Sequence, residues 1–445
     1  MKRRVVRVVA VAVGVIGWLW TAAWCPTASA EEPSTPTVLT LAEAVRLALS
    51  HQPSLLAAKG VTQANQAQVG VARSNLLPTL SLTSNYTQQT SNQYPHPQFG
   101  VIVTTSPTNR STGNYFNSLS LQQLLFDFGK TGAEVDAAKQ NMKGSELNEE
   151  NSRQAVALSV KVAYYALLAA RHLVQVQEET VRQSQEHLDQ TKGFYQAGTR
   201  TKFDVTNAEV TLTNAQLNLI TARNAVEVAR VTLANAMGVP DYRIGDLEEL
   251  LTFQKYEITE TEALKEALSS RPDLLSLAAQ RQASEDLVRS AQRGYFPVLS
   301  ANANYTYGGQ KFPLVWNWDV GATLSVPIFS GFLTASQVAQ ARANFMVAGA
   351  NEEALRQDII LAIHAAYSTL VESEERVHTS EVVVRQAQEN LDLANGRFQA
   401  GVGTSIEQTD AQVLLANAKT SSIQALFDYR VAAAGLEKAM GRPVP

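Results

Sequence analysis

The sequence predicts a mainly α-helical fold built twice over, in which two short β-hairpins of membrane-spanning character interrupt long helical hairpins. Three observations carry this. Tyr195-Gln-Ala-Gly-Thr-Arg-Thr-Lys-Phe-Asp-Val205 recurs as Phe398-Gln-Ala-Gly-Val-Gly-Thr-Ser-Ile-Glu-Gln408, 203 residues later. That offset holds without a gap from Phe126 and Phe329, through Ala163-Tyr164 and Ala366-Tyr367, to Ala236-Met237-Gly238 and Ala439-Met440-Gly441. Helical periodicity surrounds both turns, and strict alternation marks two shorter stretches.

Residues 1–30 hold Lys2, Arg3 and Arg4, an apolar run from Val8 to Trp24, and Ala28-Ser29-Ala30 before Glu31. This reads as a secretory signal peptide with a small-residue cleavage site. A retained membrane anchor is the alternative, and Cys25 follows Trp24, a poor lipidation context. Of the 37 basic residues four lie in this segment, whereas all 41 acidic ones follow it, so the chain from Glu31 carries a net charge of −8. Such a balance argues against nucleic acid as a partner. Cys25 is the single cysteine, so the mature chain needs no disulfide and has no thiolate chemistry.

The first repeat spans 31–240. Its opening helix, Leu41-Ala-Glu-Ala-Val-Arg-Leu-Ala-Leu49 with Pro53-Ser-Leu55, matches Glu262-Ala-Leu-Lys-Glu-Ala-Leu268 with Pro272-Asp-Leu274 in the second repeat, 260–445. The offset here is 219, and the 16-residue difference falls in Gln88 to Gly113, whose Gln, Asn, Pro, Ser and Thr read as an exposed loop. Pro78 and Pro297 end helices, because proline denies its predecessor the helical conformation.

The β-hairpins follow at 79–126 and 298–329. Leu80, Leu82 and Tyr86 alternate with polar residues, as do Leu299, Ala301, Ala303, Tyr305 and Tyr307, and then Trp316, Trp318, Val320, Ala322, Leu324 and Val326. One apolar and one polar face over about ten residues, with aromatics towards one end, is the pattern of a transmembrane β-strand in contact with lipid. A half-buried strand of a soluble sheet alternates in the same way. Placement in an otherwise helical secreted chain favours the membrane. Four strands cannot close a barrel, and lipid leaves unpaired edges unsatisfied, so several copies must complete the sheet.

Long helical hairpins follow at 131–237 and 334–440. In the first, Val205, Ala208, Leu212, Ala215, Leu219, Ala222, Val226, Ala229, Leu233 and Ala236 form a heptad seam in which every second member is alanine. The second copy keeps the alanines at Ala411, Ala418, Ala425, Ala432 and Ala439 but places Gln408 and Ser422 on the other seam line. Phe203, Val210, Leu217 and Val231 form another apolar line, interrupted at Asn224, about 200° away by helical geometry. Such a helix has a neighbour on each side, as in the wall of a cylinder; an ordinary alanine-rich amphipathic helix is the alternative. The connector 241–259 is expected to pack with the helix at Leu41 on this wall.

No catalytic, nucleotide or metal-ligand spacing is present, and no cofactor is implied. The six histidines, His51, His96, His172, His187, His364 and His378, read as surface or helix-face residues. Asp204, Glu407 and Asp410 near the turns suit helix starts, where the dipole favours acids. Repeated around an oligomer axis they form carboxylate rings, which select cations.

With Leu124-Leu-Phe-Asp-Phe-Gly129, Pro327-Ile-Phe-Ser-Gly331 and the tip Ala197-Gly198-Thr-Arg-Thr-Lys-Phe-Asp-Val205, the whole mature chain resembles the TolC family of outer-membrane efflux proteins. The resemblance implies a homotrimer: a twelve-stranded barrel in outer-membrane lipid continued by a coiled-coil helical tunnel, working with an inner-membrane transporter and a periplasmic adaptor in drug efflux or type I secretion. It puts the adaptor at the tips Ala197, Gly198, Thr199, Ala400, Gly401 and Val402. Tyr195, Arg200 and Glu407 become the periplasmic gate, and Asp204 and Asp410 the cation-selecting rings. One departure stands out. The family's best-known member carries Gly-Thr-Arg-Thr in its second copy, whereas here it is in the first, and Asn207 replaces a ring aspartate whose equivalent is Asp410. A duct for metal ions, or a pore-less periplasmic scaffold, are the alternatives; the absence of Met or His clusters speaks against the former.

Overall fold

The computed structural model describes residues 38–93 and 108–442. The signal peptide, Cys25 and His96 lie outside the described residues. In chain order the elements are β1 (Val38–Leu39), α1 (Leu41–His51), α2 (Pro53–Ser74), β2 (Thr79–Gln93), β3 (Thr108–Phe126), α3 (Lys130–Gln196) and α4 (Lys202–Ala236). Then follow β4 (Asp246–Leu247), α5 (Glu260–Ser270), α6 (Pro272–Arg293), β5 (Val298–Gly309), β6 (Val315–Ser325), α7 (Leu333–Gln399) and α8 (Ser405–Ala439). Helices pair by length across the duplication: α1 and α5 have 11 residues, α2 and α6 have 22, α3 and α7 have 67, and α4 and α8 have 35.

Each 67-residue helix, about 100 Å long at 1.5 Å per residue, is too long to be covered by one partner. Two shorter helices share it: α2 and α4 both pack on α3, while α6 and α8 both pack on α7. The shorter helices meet nearly end to end at a joint. In the first copy Gln52 Nε2 donates to the Ala236 carbonyl at 3.3 Å. In the second, Ser270 Oγ donates to the Met440 carbonyl at 2.8 Å and the Arg271 guanidinium to that of Ala439 at 3.3 Å. Helix-end carbonyls are thus satisfied by the next helix's start.

Both joints need glycine. Gly238 (φ 72°) and Gly441 (φ 75°) take left-handed conformations, and a Cβ would come within 2.9 Å of Gln52 Cα and 2.7 Å of Arg271 Cα. Gly441→Ala should therefore cost about 1–2 kcal/mol for conformation and about 1–3 kcal/mol for the backbone clash. Chemical denaturation against the parent, with Gly435→Ala as a control where a Cβ meets nothing, measures it.

The sheet order is β2-β3-β5-β6, antiparallel throughout. Leu82 pairs with Leu119, Leu119 with Tyr305, and Tyr305 with Trp318, so the apolar rows run on across all four strands. Opposite them, Ser120 pairs with Asn304, and Asn304 with Asp319. The reading of Gln88 to Gly113 as a loop is corrected at both ends: Gln88 through Gln93 pair with Thr108 through Gly113, so the first hairpin extends farther than the second. Backbone pairing does not require apolar side chains, which is why polarity alone misjudged it.

Between the copies, β4 pairs in parallel with β1, and the connector is pinned by two buried tyrosines. Tyr164 Oη donates to the carbonyls of Leu39 (2.8 Å) and Glu248 (3.1 Å). Burial pushes its pKa up to about 12. Tyr429 Oη donates to the Gln254 carbonyl at 2.8 Å and accepts from the Tyr256 amide at 2.9 Å. Around them two apolar clusters form the core, one holding Leu39, Val45, Leu167, Leu233 and Ile244, the other Ile359, Ile363, Leu370, Leu436 and Met440.

Candidate gate at the helical tips

Both hairpin tips are built alike. Gly198 (φ 74°) and Gly401 (φ 75°) reverse the chain after α3 and α7, and amides just beyond close back onto the helix ends: Thr199 N to Phe194 O at 3.0 Å, Val402 N to Arg397 O at 3.1 Å. Thr201 and Thr404 then cap α4 and α8, their hydroxyls accepting from the Asp204 and Glu407 amides. Asp204 completes a capping box, accepting from Thr201 N at 3.0 Å and Thr201 Oγ1 at 2.8 Å. Burial raises the Asp204 pKa, but the Thr201 hydrogen bonds, with the charges of Arg200 and His187, outweigh it and hold the carboxyl below its ordinary value.

The two tips of one chain touch through a cluster centred on Phe398, which is fully buried. The Arg200 guanidinium lies 4.7 Å over its ring and donates to the Gly403 carbonyl at 2.8 Å. Phe194 and His187 meet the same ring edge-on at 5.6 and 5.4 Å. His187 Nε2 reaches Ser405 Oγ at 3.0 Å.

Within one chain, then, Arg200 is not brought to Glu407, which instead lies 3.4 Å from Arg397. Tyr195 is 45% exposed, and Asp410, Ala197, Gly198, Thr199, Ala400, Gly401 and Val402 are exposed as well. His187 is corrected from a surface or helix-face residue to a core one, 1% exposed. Its sequence neighbours gave no warning, but Gln408, one of two polar residues with Ser422 on its seam line, did: it is buried beside this cluster and bonds Asn395 Oδ1 at 2.8 Å.

Away from the tips, every member of the first seam from Val205 to Ala236 is buried or half-buried. The second apolar line is not covered within the chain: Phe203 is 68% exposed, and Val210, Leu217 and Val231 are exposed too. On α7, Met346, Leu361 and Leu393 are likewise bare.

Comparison with known proteins gives this geometry its family. The outer membrane efflux protein family matches residues 44–239 and 263–442, both halves of the duplication. The chain belongs to that family. Outer membrane protein TolC of Escherichia coli is 26% identical over 394 residues, covering 84% of this efflux protein and 76% of TolC. The pyoverdine export outer membrane protein OpmQ of Pseudomonas aeruginosa is 24% identical over 405 residues, 88% of this chain and 83% of that one. The solved structure of the outer membrane protein VceC from Vibrio cholerae superposes with a TM-score of 0.75 at 19% identity, covering 90% of this chain and 96% of the other. The efflux protein is accordingly an outer-membrane efflux duct of a Gram-negative bacterium, in a family of ducts rather than enzymes.

Proposed function

We propose that the efflux protein works as a homotrimer, three sheets closing one twelve-stranded barrel and six helical hairpins forming one tunnel. It passes small molecules or polypeptides received from an inner-membrane transporter, and carries out no reaction of its own. The sheet order carries this reading. β2 and β6 are free edges, untenable in lipid, and each adjoins its own helical flank along the chain, α2 leading into β2 and α7 following β6. On one flank stand α2 and α4, and on the other α7, with α3, α6 and α8 between them. Head-to-tail closure therefore joins β6 to β2 and α7 to α4 of the next copy, a heterologous interface that closes into a ring. It also covers the bare rows at Phe203 and Met346. An adaptor docks on the tips at Ala197 to Thr199 and Ala400 to Val402, where exposed glycine turns leave the backbone accessible. Tyr195, Arg200 and Glu407 then ring the entrance.

Detergent-solubilised protein should run as a trimer and conduct ions in a planar bilayer. A stable helical monomer, or a trimer without conductance, contradicts the reading, the latter in favour of a pore-less scaffold.

A further inference from the structure

His187 is a buried titratable group for which the duct reading above has no use. Its ring sits between the first hairpin and the second, 1% exposed, with Nε2 on Ser405 Oγ at 3.0 Å and the ring edge against Phe398. Its Nδ1 has no partner, nor has Gln408 Oε1 beside it. An imidazole buried with one nitrogen bare is tolerated neutral, whereas a proton on it would place a charge in an apolar seam. The charged groups facing it are Arg200 and Asp204, both on the first tip. From the second hairpin come Phe398, Ser405 and Gln408, all uncharged.

We propose that His187 is the positioning residue of the entrance: neutral, it fastens the two hairpin tips of a chain together, and its protonation releases them, so that the duct opens on acidification. This rests on the duct reading and adds a regulation to it. Burial is the main influence on the ring and lowers its pKa; Gln408 and Asp204 favour the charged form, Arg200 opposes it, and the balance lies below the ordinary 6.5. The sign follows. In an open tip the ring is solvated and takes a proton more readily than in the closed one. Closure is therefore fully supported above about 6.5 and weakens as pH falls towards the closed-state value. Each unit separating the two states shifts the open-to-closed ratio about tenfold per histidine, and a trimer has three. The carboxylate of Asp204, held below its usual range, does not titrate in this window.

The test uses the full-length protein in planar bilayers between pH 7.5 and 5.5. Conductance of the parent should rise about tenfold or more, while His187→Gln, which keeps a polar side chain without a titrating one, should hold one conductance throughout. His187→Arg, permanently charged, should be open at pH 7.5. A parent that does not respond, or a His187→Gln variant that responds like it, overturns the proposal. A second readout needs no pore: spin labels on Lys202→Cys and Val402→Cys, one exposed site on each tip, in a Cys25→Ser background, report tip-to-tip distances. These should widen on acidification in the parent and stay fixed in His187→Gln; distances that ignore pH overturn the switch even where no channel is recorded, whereas widening tips without conductance contradict the duct alone.

Discussion

Arg200→Ser should raise single-channel conductance strongly, without dissociating the assembly. The reason lies in what the side chain bridges. Arg200 leaves the first tip and holds the second at two points, the Gly403 carbonyl at 2.8 Å and the Phe398 ring at 4.7 Å. A charged donor on a carbonyl is worth about 1.5–3 kcal/mol, and a half-exposed cation over an aromatic face about 0.5–2 kcal/mol. In the proposed trimer three copies lose these together, so the closed state gives up roughly 6 kcal/mol or more, provided by contacts that a widening entrance must break. An exposed ion pair at the same place contributes only about 0–1 kcal/mol per copy.

Two partners for Arg200 therefore make different predictions. If the lock is the contact within the chain, Glu407→Gln leaves conductance at the parent's value and salt has little effect, because neither a carbonyl nor a ring is a counter-ion. If Arg200 instead pairs with Glu407 of a neighbouring copy, Glu407→Gln opens the duct as far as Arg200→Ser, and closure weakens with ionic strength. Arg200→Lys separates them again, since lysine keeps the charge but loses the planar face that stacks on Phe398. Adding Tyr195→Phe to Arg200→Ser should raise conductance further only if the Tyr195 hydroxyl, exposed in the single chain, finds a partner across an interface.

Much of the architecture was legible because the sequence states it twice. The constant offset from Phe126 and Phe329 onward fixed equal lengths for α3 and α7 and for α4 and α8, and the alternation at Trp316 to Leu324 fixed which face of β6 is apolar. Local periodicity reports local geometry. It does not report contacts between segments two hundred residues apart, and there the reading fell short. His187 is buried by α8, and the Gln52 and Arg271 joints depend on Gly238 and Gly441 arriving from the far end of each repeat. Polar composition was the other weak guide. Gln88 to Gln93 and Thr108 to Gly113 extend a hairpin because strand pairing uses the backbone, and Asp204 is engaged by Thr201 before any role around an axis arises.

That engagement shapes the test of the carboxylate rings. Asp204→Ala would remove both a charge and a helix start, whereas Asp204→Asn leaves an oxygen to accept from the Thr201 amide and removes the charge alone. Asp410 is exposed one turn further along its helix start, and Asp410→Asn is the matching change. A trivalent cation about 8 Å from one carboxylate in water gains roughly 1.5 kcal/mol, about 0.5 kcal/mol after screening over a Debye length. Six carboxylates in a trimer then hold it by roughly 3 kcal/mol, on the order of a hundredfold in affinity. The double variant should therefore need about a hundredfold more hexamminecobalt for half-block of the current, with assembly and thermal stability as in the parent. Block at the parent's concentration would show that Asp204 and Asp410 only start helices. Loss of block in Asp410→Asn alone would place the filter in the second tip, with Asp204 committed to its cap.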